Sequence, residues 1–365
     1  MATGKLRGFA QPYTPDYPGF LSNLRREGTP DRVWFVELFL DPEVQDEIDR
    51  RFGVTAHLDP GDPDYAVRRL IALQQFLGYD YVRVKLEGHE LARALHTVQD
   101  TASAARAGGR EWIEEGFGPI RSWDDFESYP WPQPADARTE MLEAALRHLP
   151  EGMCLAGSGL AHFFEELVEL FGYEGLCFAL YDNRDLVRAA FERLLALNEA
   201  RARIFLQCDR VELLWHSDDM GHKTGPLISP ADLREFVLPG HRRLAHLAHE
   251  AGRLTVLHSC GNRRLFLDDL LEDVRVDALH SWEDTIERIT DAKSEYGDRV
   301  ALLGGIDVDF LCRAPEQAVR ARVRETLDVC QPGGGYALGT GNSVANYVPV
   351  DQYLAMLDEG RLYGR

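Results

Sequence analysis

No stretch of this sequence approaches the roughly 18 consecutive apolar residues that a membrane-spanning helix needs, so no transmembrane segment is expected. The first residues, Met1-Ala2-Thr3-Gly4-Lys5, lack the apolar core of a secretory signal. Cysteine is sparse: six residues, at 154, 177, 208, 260, 312 and 330, with no C-x-x-C pair. Thiols scattered in this way fit a reducing compartment and exclude a disulfide framework, so the cytoplasm is the expected location. Positive charge is also short, 40 Lys and Arg against 60 Asp and Glu, for a net charge of −20. That excess repels nucleic acid and anionic membranes, and neither is expected as a partner.

What is present is the material of a large soluble core: 365 residues, 45% hydrophobic and 27% charged. Short apolar runs at 33–39, 80–86, 153–158, 211–216, 254–260, 277–282, 300–304 and 335–339 read as strands. Helical periodicity separates them, most clearly at 62–76, 185–207, 229–250 and 315–330. Two of these helices open on a recognisable start, Ser229-Pro230 and Ala314-Pro315-Glu316, with proline early and acid in the first turn. Eight strands alternating with helices predict an α/β chain folded as a closed (β/α)8 TIM barrel. An open doubly wound sheet is the competing architecture, and the count of eight favours the barrel. The whole of residues 1–365 is read as one domain, with residues 1–30 as an N-terminal extension.

Residues 101–138 break the rhythm between the second and third strands. This aromatic, Pro/Gly-rich excursion holds Gly108-Gly109, Trp112, Gly116, Gly118-Pro119, Trp123 and Tyr129-Pro130-Trp131-Pro132. Loops this long are functional or disordered, and three tryptophans argue against disorder. Its route is read as the return from a helix to the next strand. Wrapping the barrel, covering its mouth and packing on a partner chain are all open to it.

A barrel places its chemistry at the C-terminal strand ends. In order, those ends carry Glu37, Arg83/Lys85/Glu87, Ser158, His216-Ser217-Asp218-Asp219, His258/Cys260, His280 with Glu283, Asp307, and Thr340/Asn342. Polar endings repeated around a ring are not what structural strands require. In the second strand, Tyr81-Val82-Arg83-Val84-Lys85 alternates strictly, so Arg83 and Lys85 share a face. Turned inward, that face favours an anionic ligand; the alternative is a solvated strand face.

The sharpest signal is Leu254-Thr255-Val256-Leu257-His258-Ser259-Cys260-Gly261. Residues two apart on a strand share a face, so His258 and Cys260 can address one ion, and imidazole with thiolate suits zinc. Glu283 is the first choice as third ligand and Asp219 the second. His241, His246 and His249 fall on a helix and read as solvated surface. The glycine-rich Leu303-Gly304-Gly305-Ile306-Asp307 and Gly333-Gly334-Gly335 … Gly339-Thr340-Gly341-Asn342 serve either as a phosphate cradle or as tight turns.

Taken together, these elements resemble the uroporphyrinogen decarboxylase superfamily, and within it the corrinoid-linked, zinc-dependent methyltransferases. The resemblance rests on Ser217-Asp218-Asp219-Met220-Gly221, Gly225-Pro226-Leu227-Ile228-Ser229-Pro230, Leu238-Pro239 and His258-Ser259-Cys260-Gly261-Asn262. It continues through Leu303–Asp307, Gly334–Gly339 and the late Pro349, and covers roughly residues 30–360. It implies a (β/α)8 barrel with His258 and Cys260 as zinc ligands. The branch's third ligand, a cysteine near strand eight, is absent, so Glu283 or Asp219 would complete the shell. The decarboxylases' Arg-Gln-x-Gly-Arg element is replaced by the acidic stretch from Val33 to Glu43, with Glu37 and Asp41 where a polyanion's carboxylates would sit. Thr340 stands where their histidine would be. Decarboxylation of a porphyrinogen is therefore not expected.

The resemblance implies an enzyme that moves a methyl group between a corrinoid and a small thiol or related acceptor, with zinc activating the acceptor. No Asp-x-His-x-x-Gly corrinoid signature occurs, so the cobalamin would ride on a partner protein. Asp219, His280 and Glu37 are the expected catalytic residues, and Arg83, Lys85, Asp218, Asp307 and Asn342 the expected substrate-binding ones. His258, Cys260 and Glu283 are the expected metal ligands. A small-molecule substrate, a corrinoid protein and a second copy of the chain are the expected partners. Two rivals stand beside this reading: a metal-free decarboxylase of a small acid built on Asp219, and a non-catalytic barrel that binds a corrinoid or metabolite.

Overall fold

The apolar runs build the inner wall of a barrel. A computed structural model describes residues 9–93, 95–102, 109–113 and 116–363. After α1 (Tyr17–Leu24), the run at 33–40 forms no regular strand. Parallel bridges Phe35–Leu338 and Leu40–Val344 attach it to the chain beyond the final strand's start. Helices α2 (Pro42–Phe52) and α3 (Tyr65–Leu77) lead to β1 (Tyr81–Lys85), the first regular strand. An antiparallel hairpin, β2 (Leu95–Val98) with β3 (Arg110–Ile113), then α4 (Trp123–Ser128) and α5 (Glu140–His148) precede β4 (Cys154–Leu160). Three helices follow: α6 (Phe163–Phe171), α7 (Tyr173–Asp182) and α8 (Arg184–Leu206). Next come β5 (Val211–Ser217), the small hairpin β6 (Gly221–His222) and β7 (Gly225–Pro226), α9 (Pro230–Phe236) and α10 (Leu238–Glu250). The remainder alternates β8 (Leu254–His258), a π-helical turn Asp269–Val274, β9 (Ala278–His280), α11 (Ile289–Tyr296) and β10 (Ala301–Leu303). It ends with α12 (Val308–Arg313), α13 (Glu316–Cys330), β11 (Tyr336–Ala337) and α14 (Val350–Tyr363).

One parallel sheet runs β1-β4-β5-β8-β9-β10-β11. With the 33–40 run bridged beyond β11, eight staves surround the core in the predicted order. Strand β8 is buried along its whole length, which is why its sequence does not alternate apolar with polar. The predicted 229–250 helix is two helices. Pro239 has no N–H for the carbonyl four residues back, so α9 stops at Phe236 and α10 starts anew past Val237 (φ −128°, ψ −60°).

The barrel has a seam. Among the described residues no backbone hydrogen bond joins the 33–40 run to β1. The Tyr81 hydroxyl takes the place of a ladder, accepting from the Glu37 N–H and donating to the Glu37 carbonyl, both at 2.9 Å.

The excursion between strands two and three is present, but its route differs from the expectation. It leaves the C-terminal end of β1, closes at the Glu87–Arg138 bridge, and is followed by α5, the helix that packs on β1. It is therefore a strand-to-helix loop on the mouth side of the barrel, because a helix still has to follow it before β4. Residues 103–108 and 114–115 of it lie outside the described residues, as do residues 1–8 of the N-terminal extension. Its described part packs on the barrel's own helices: Gly118 N–H donates to the Phe171 carbonyl at 2.7 Å and Ile120 N–H to the Leu170 carbonyl at 2.9 Å. A Cβ on Gly118 would lie 2.4 Å from the Leu170 oxygen, so only glycine permits this approach. Trp123, Phe126, Trp131 and Tyr129 hold the segment together through edge-on ring contacts. None of the described helices is long and apolar enough to cross a membrane.

Candidate metal centre at the barrel mouth

Two glycines assemble the site. Gly261 follows Cys260 with φ +82°, and a Cβ there would sit 2.2 Å from the Gly221 carbonyl carbon. A Cβ on Gly221 would meet the Cys260 oxygen at 2.9 Å. The loops after β5 and β8 thus lie backbone against backbone, stitched by Asn262 N–H to the His222 carbonyl at 2.9 Å. This brings Asp219 to Cys260, whose N–H donates to Asp219 Oδ1 at 2.8 Å.

Asp219, His258 and Cys260 form a group in which one ligand-type atom from each lies within 4.8 Å of the others. His258 Nε2 stands 3.4 Å from Cys260 Sγ and 3.3 Å from Asp219 Oδ1. Metal–nitrogen and metal–oxygen bonds of about 2.0–2.1 Å and a metal–sulfur bond of about 2.3 Å, at tetrahedral angles, require ligand separations of roughly 3.4–3.6 Å. The donor types and the two separations from His258 Nε2 suit zinc, which Asp219, His258 and Cys260 would hold together.

The outer partners set the direction of His258. His280 is fully buried, and burial together with the neighbouring His258 pushes its pKa far below the ordinary imidazole value, so it is neutral. Its Nε2 lies 3.2 Å from the Thr340 carbonyl, which can only accept, so the proton is on Nε2 and Nδ1 is bare. Nδ1 then accepts from His258 Nδ1 at 2.7 Å. A neutral His258 is left with its Nε2 lone pair facing Cys260 and Asp219. The Asn342 amide donates to Cys260 Sγ at 3.2 Å. Burial, then the Asp219 carboxylate, raises the Cys260 thiol well above its usual range, so without a cation it stays protonated.

The other predicted residues divide. Glu283, the first choice as third ligand, is not in the ligand group; Asp219 occupies that place because the glycine contact draws its loop inward. Asp218 does not line the mouth. It is fully buried on the outer side, where its carboxylate accepts from Phe164 N–H and Glu165 N–H at the start of α6 and from His241 Nε2 at 2.9 Å. His241 is accordingly buried and not solvated, whereas His246 is exposed beside Glu250. Asp307 caps α12 through Phe310 N–H and holds Asp284 N–H, both at 2.9 Å, so its carboxylate serves the loops. Glu37 is turned to Thr340, accepting from Oγ1 at 2.5 Å and from N–H at 3.2 Å, and burial raises its pKa to about 8. It supports the carbonyl that orients His280 and stands apart from the ligand group. Arg83 points inward, its guanidinium 4.7 Å above the Trp215 ring, and burial lowers its pKa to about 10. Lys85 is exposed on the same face.

Sequence reasoning marked Thr340 as a strand end without its role, which is to link Glu37 to His280, and it overlooked two further contributors. Trp215 lies between Arg83 and His280, its ring centroid 6.4 Å from that of His280; its parity with Ser217 on β5 marks it as inward-facing. Arg263, buried beneath the site, donates to the Ser259 carbonyl and, at 2.7 Å, to the Ser281 carbonyl, tying two loops together. Only its position three residues past Cys260 hints at that role.

The chain is similar to known proteins in sequence and in fold. Residues 118–363, more than half of the chain, match the sequence model described as uroporphyrinogen decarboxylase (URO-D). The chain is 35% identical over 77 residues to the uroporphyrinogen decarboxylase of Methylibium petroleiphilum, a match covering 20% of each protein. It is 30% identical over 138 residues to that of Thioalkalivibrio sulfidiphilus, covering 37% of this chain and 38% of the relative. The matches thus span well under half the length of these curated relatives. A methyltransferase from Methanosarcina mazei superposes with a TM-score of 0.66 at 18% identity, covering 94% of this chain and 97% of that one. That likeness is one of fold.

Proposed function

Because the chain belongs to the uroporphyrinogen decarboxylase family, we propose that its mouth is a methyl-transfer site in which Asp219, His258 and Cys260 hold a zinc ion. The observation that carries this reading is the convergence of three zinc-type donors within 4.8 Å of one another, two of them at ligand separation from His258 Nε2, which His280 orients. Bound there, zinc would act as a Lewis acid that lets a small thiol bind as thiolate near neutral pH. The chain's own residues do the rest. His280 and Thr340 keep His258 in the tautomer that presents Nε2. The Asn342 amide, 3.2 Å from Cys260 Sγ, tempers the charge on that sulfur. Arg83 and Lys85 supply positive charge for an anionic group on the acceptor.

The methyl donor in this reading is a corrinoid on a partner protein docked over the mouth. Support for methyl transfer comes from the family and from the fold shared with a methyltransferase. Zinc analysis of freshly purified and zinc-reconstituted protein tests the first step. About one ion per chain is expected in the wild type, falling at least tenfold in affinity for Asp219→Asn and for Cys260→Ala. A wild-type chain that retains no zinc after reconstitution sinks the proposal.

A further inference from the structure

The seam opens into a cleft of about 690 Å³ beside the mouth. Its walls are apolar: Leu38 and Leu40 from the 33–40 run, Leu70, Leu73 and Leu77 on α3, and Met141 on α5. The same space is lined by polar groups left unmatched. Arg83 gives one guanidinium nitrogen to the Leu38 carbonyl, but its Nε is buried with no partner. Gln74 Oε1 is likewise buried without a partner. The exposed Lys85 ammonium makes no hydrogen bond or ion pair among the described residues, although every other side chain of its strand face is engaged. Both of those atoms are sealed from the cleft, so the charge a guest can reach is the exposed Lys85 ammonium with the Arg83 guanidinium beside it. At the inner end, Arg83 stacks on Trp215, which packs against His280, the residue that orients His258.

We infer that this cleft binds an amphiphilic anion, an apolar chain or ring carrying an acid group, with the acid at Lys85 and Arg83 and the body among the leucines and Met141. Apolar walls with a few convergent charged groups at one end are the usual make-up of a small-molecule site. The acid class follows from the charge of the lining, which holds Arg83 and Lys85 and no carboxylate. The inference rests on the methyl-transfer reading only in making this ligand the inert half of the substrate; binding itself needs no metal.

Isothermal titration calorimetry on the full chain with octanoate, octylamine and octanol tests it. Octanoate is expected to bind the wild type at least tenfold more tightly than either neutral or cationic analogue. Lys85→Glu, an exposed change, and Met141→Trp, which fills the cleft, should each weaken octanoate at least tenfold. Cys260→Ala should bind octanoate as the wild type does while losing zinc, so the two readings fail separately. Absence of octanoate binding, equal binding of octylamine, or an unchanged affinity in Lys85→Glu would overturn the inference.

Discussion

Between β5 and β8 the barrel mouth closes with backbone lying directly on backbone, whereas between the 33–40 run and β1 no ladder forms and a cleft opens. In the first sector two glycines remove the side chains that would keep the loops apart, and the Asp219, His258 and Cys260 donors are brought within 4.8 Å of one another. In the second, a tyrosine hydroxyl stands in for the ladder and leucines face a void. One sector is suited to holding a small ion whose ligands tolerate little displacement. The other is suited to a larger body that needs room. A single fold supplies both because a barrel wall is only as tight as its weakest pairing.

Three changes would break or sharpen this contrast. Gly261→Ala strikes the tight sector, since the added carbon has no room and φ +82° disfavours it. A loss of more than about 3 kcal/mol in denaturant unfolding, with loss of zinc, is expected; a variant as stable as wild type would refute the stitched-loop account. Glu37→Gln probes the edge of the seam through pH. Burial raises the Glu37 pKa from 4.5 to about 8, so the folded chain holds a proton that the unfolded chain releases. Wild-type stability should therefore be full below pH 4.5 and decline as pH rises towards about 8, by on the order of a few kcal/mol. The glutamine variant should give a flatter profile of melting temperature against pH; a parallel profile would contradict the assigned proton. Tyr81→Phe, which strands the Glu37 N–H and carbonyl, should cost about 1–2 kcal/mol and raise hydrogen exchange at Glu37 without altering zinc affinity.

The eight staves were legible because each is a short run rich in apolar residues, and β8 and β10 are buried along their whole length. The seam was not, because Tyr81 looks like any inward aromatic until its hydroxyl is seen to replace a ladder. His258 and Cys260 were legible from strand parity. Choosing between Glu283 and Asp219 as third ligand was beyond it, as both lie in loops past their strands and the glycine contact decides which is drawn in. Those glycines read as turns, although their work is a contact between loops 40 residues apart in sequence, Gly221 and Gly261. The excursion's placement was misread because α5 is a short helix that follows it, and an inserted segment does not announce which side of a helix it precedes.

A closed barrel behaves as a hoop: it can widen only by breaking ladder bonds somewhere around its circumference. This one behaves as a clamp. Its jaws are the 33–40 run and β1, its latches are the Tyr81 hydroxyl on Glu37 and the Arg83 guanidinium on the Leu38 carbonyl, and the wall opposite the jaws is the glycine-stitched sector. A guest entering the jaws can spread them by bending the sheet, leaving every backbone ladder intact and the ion-holding side of the ring undisturbed.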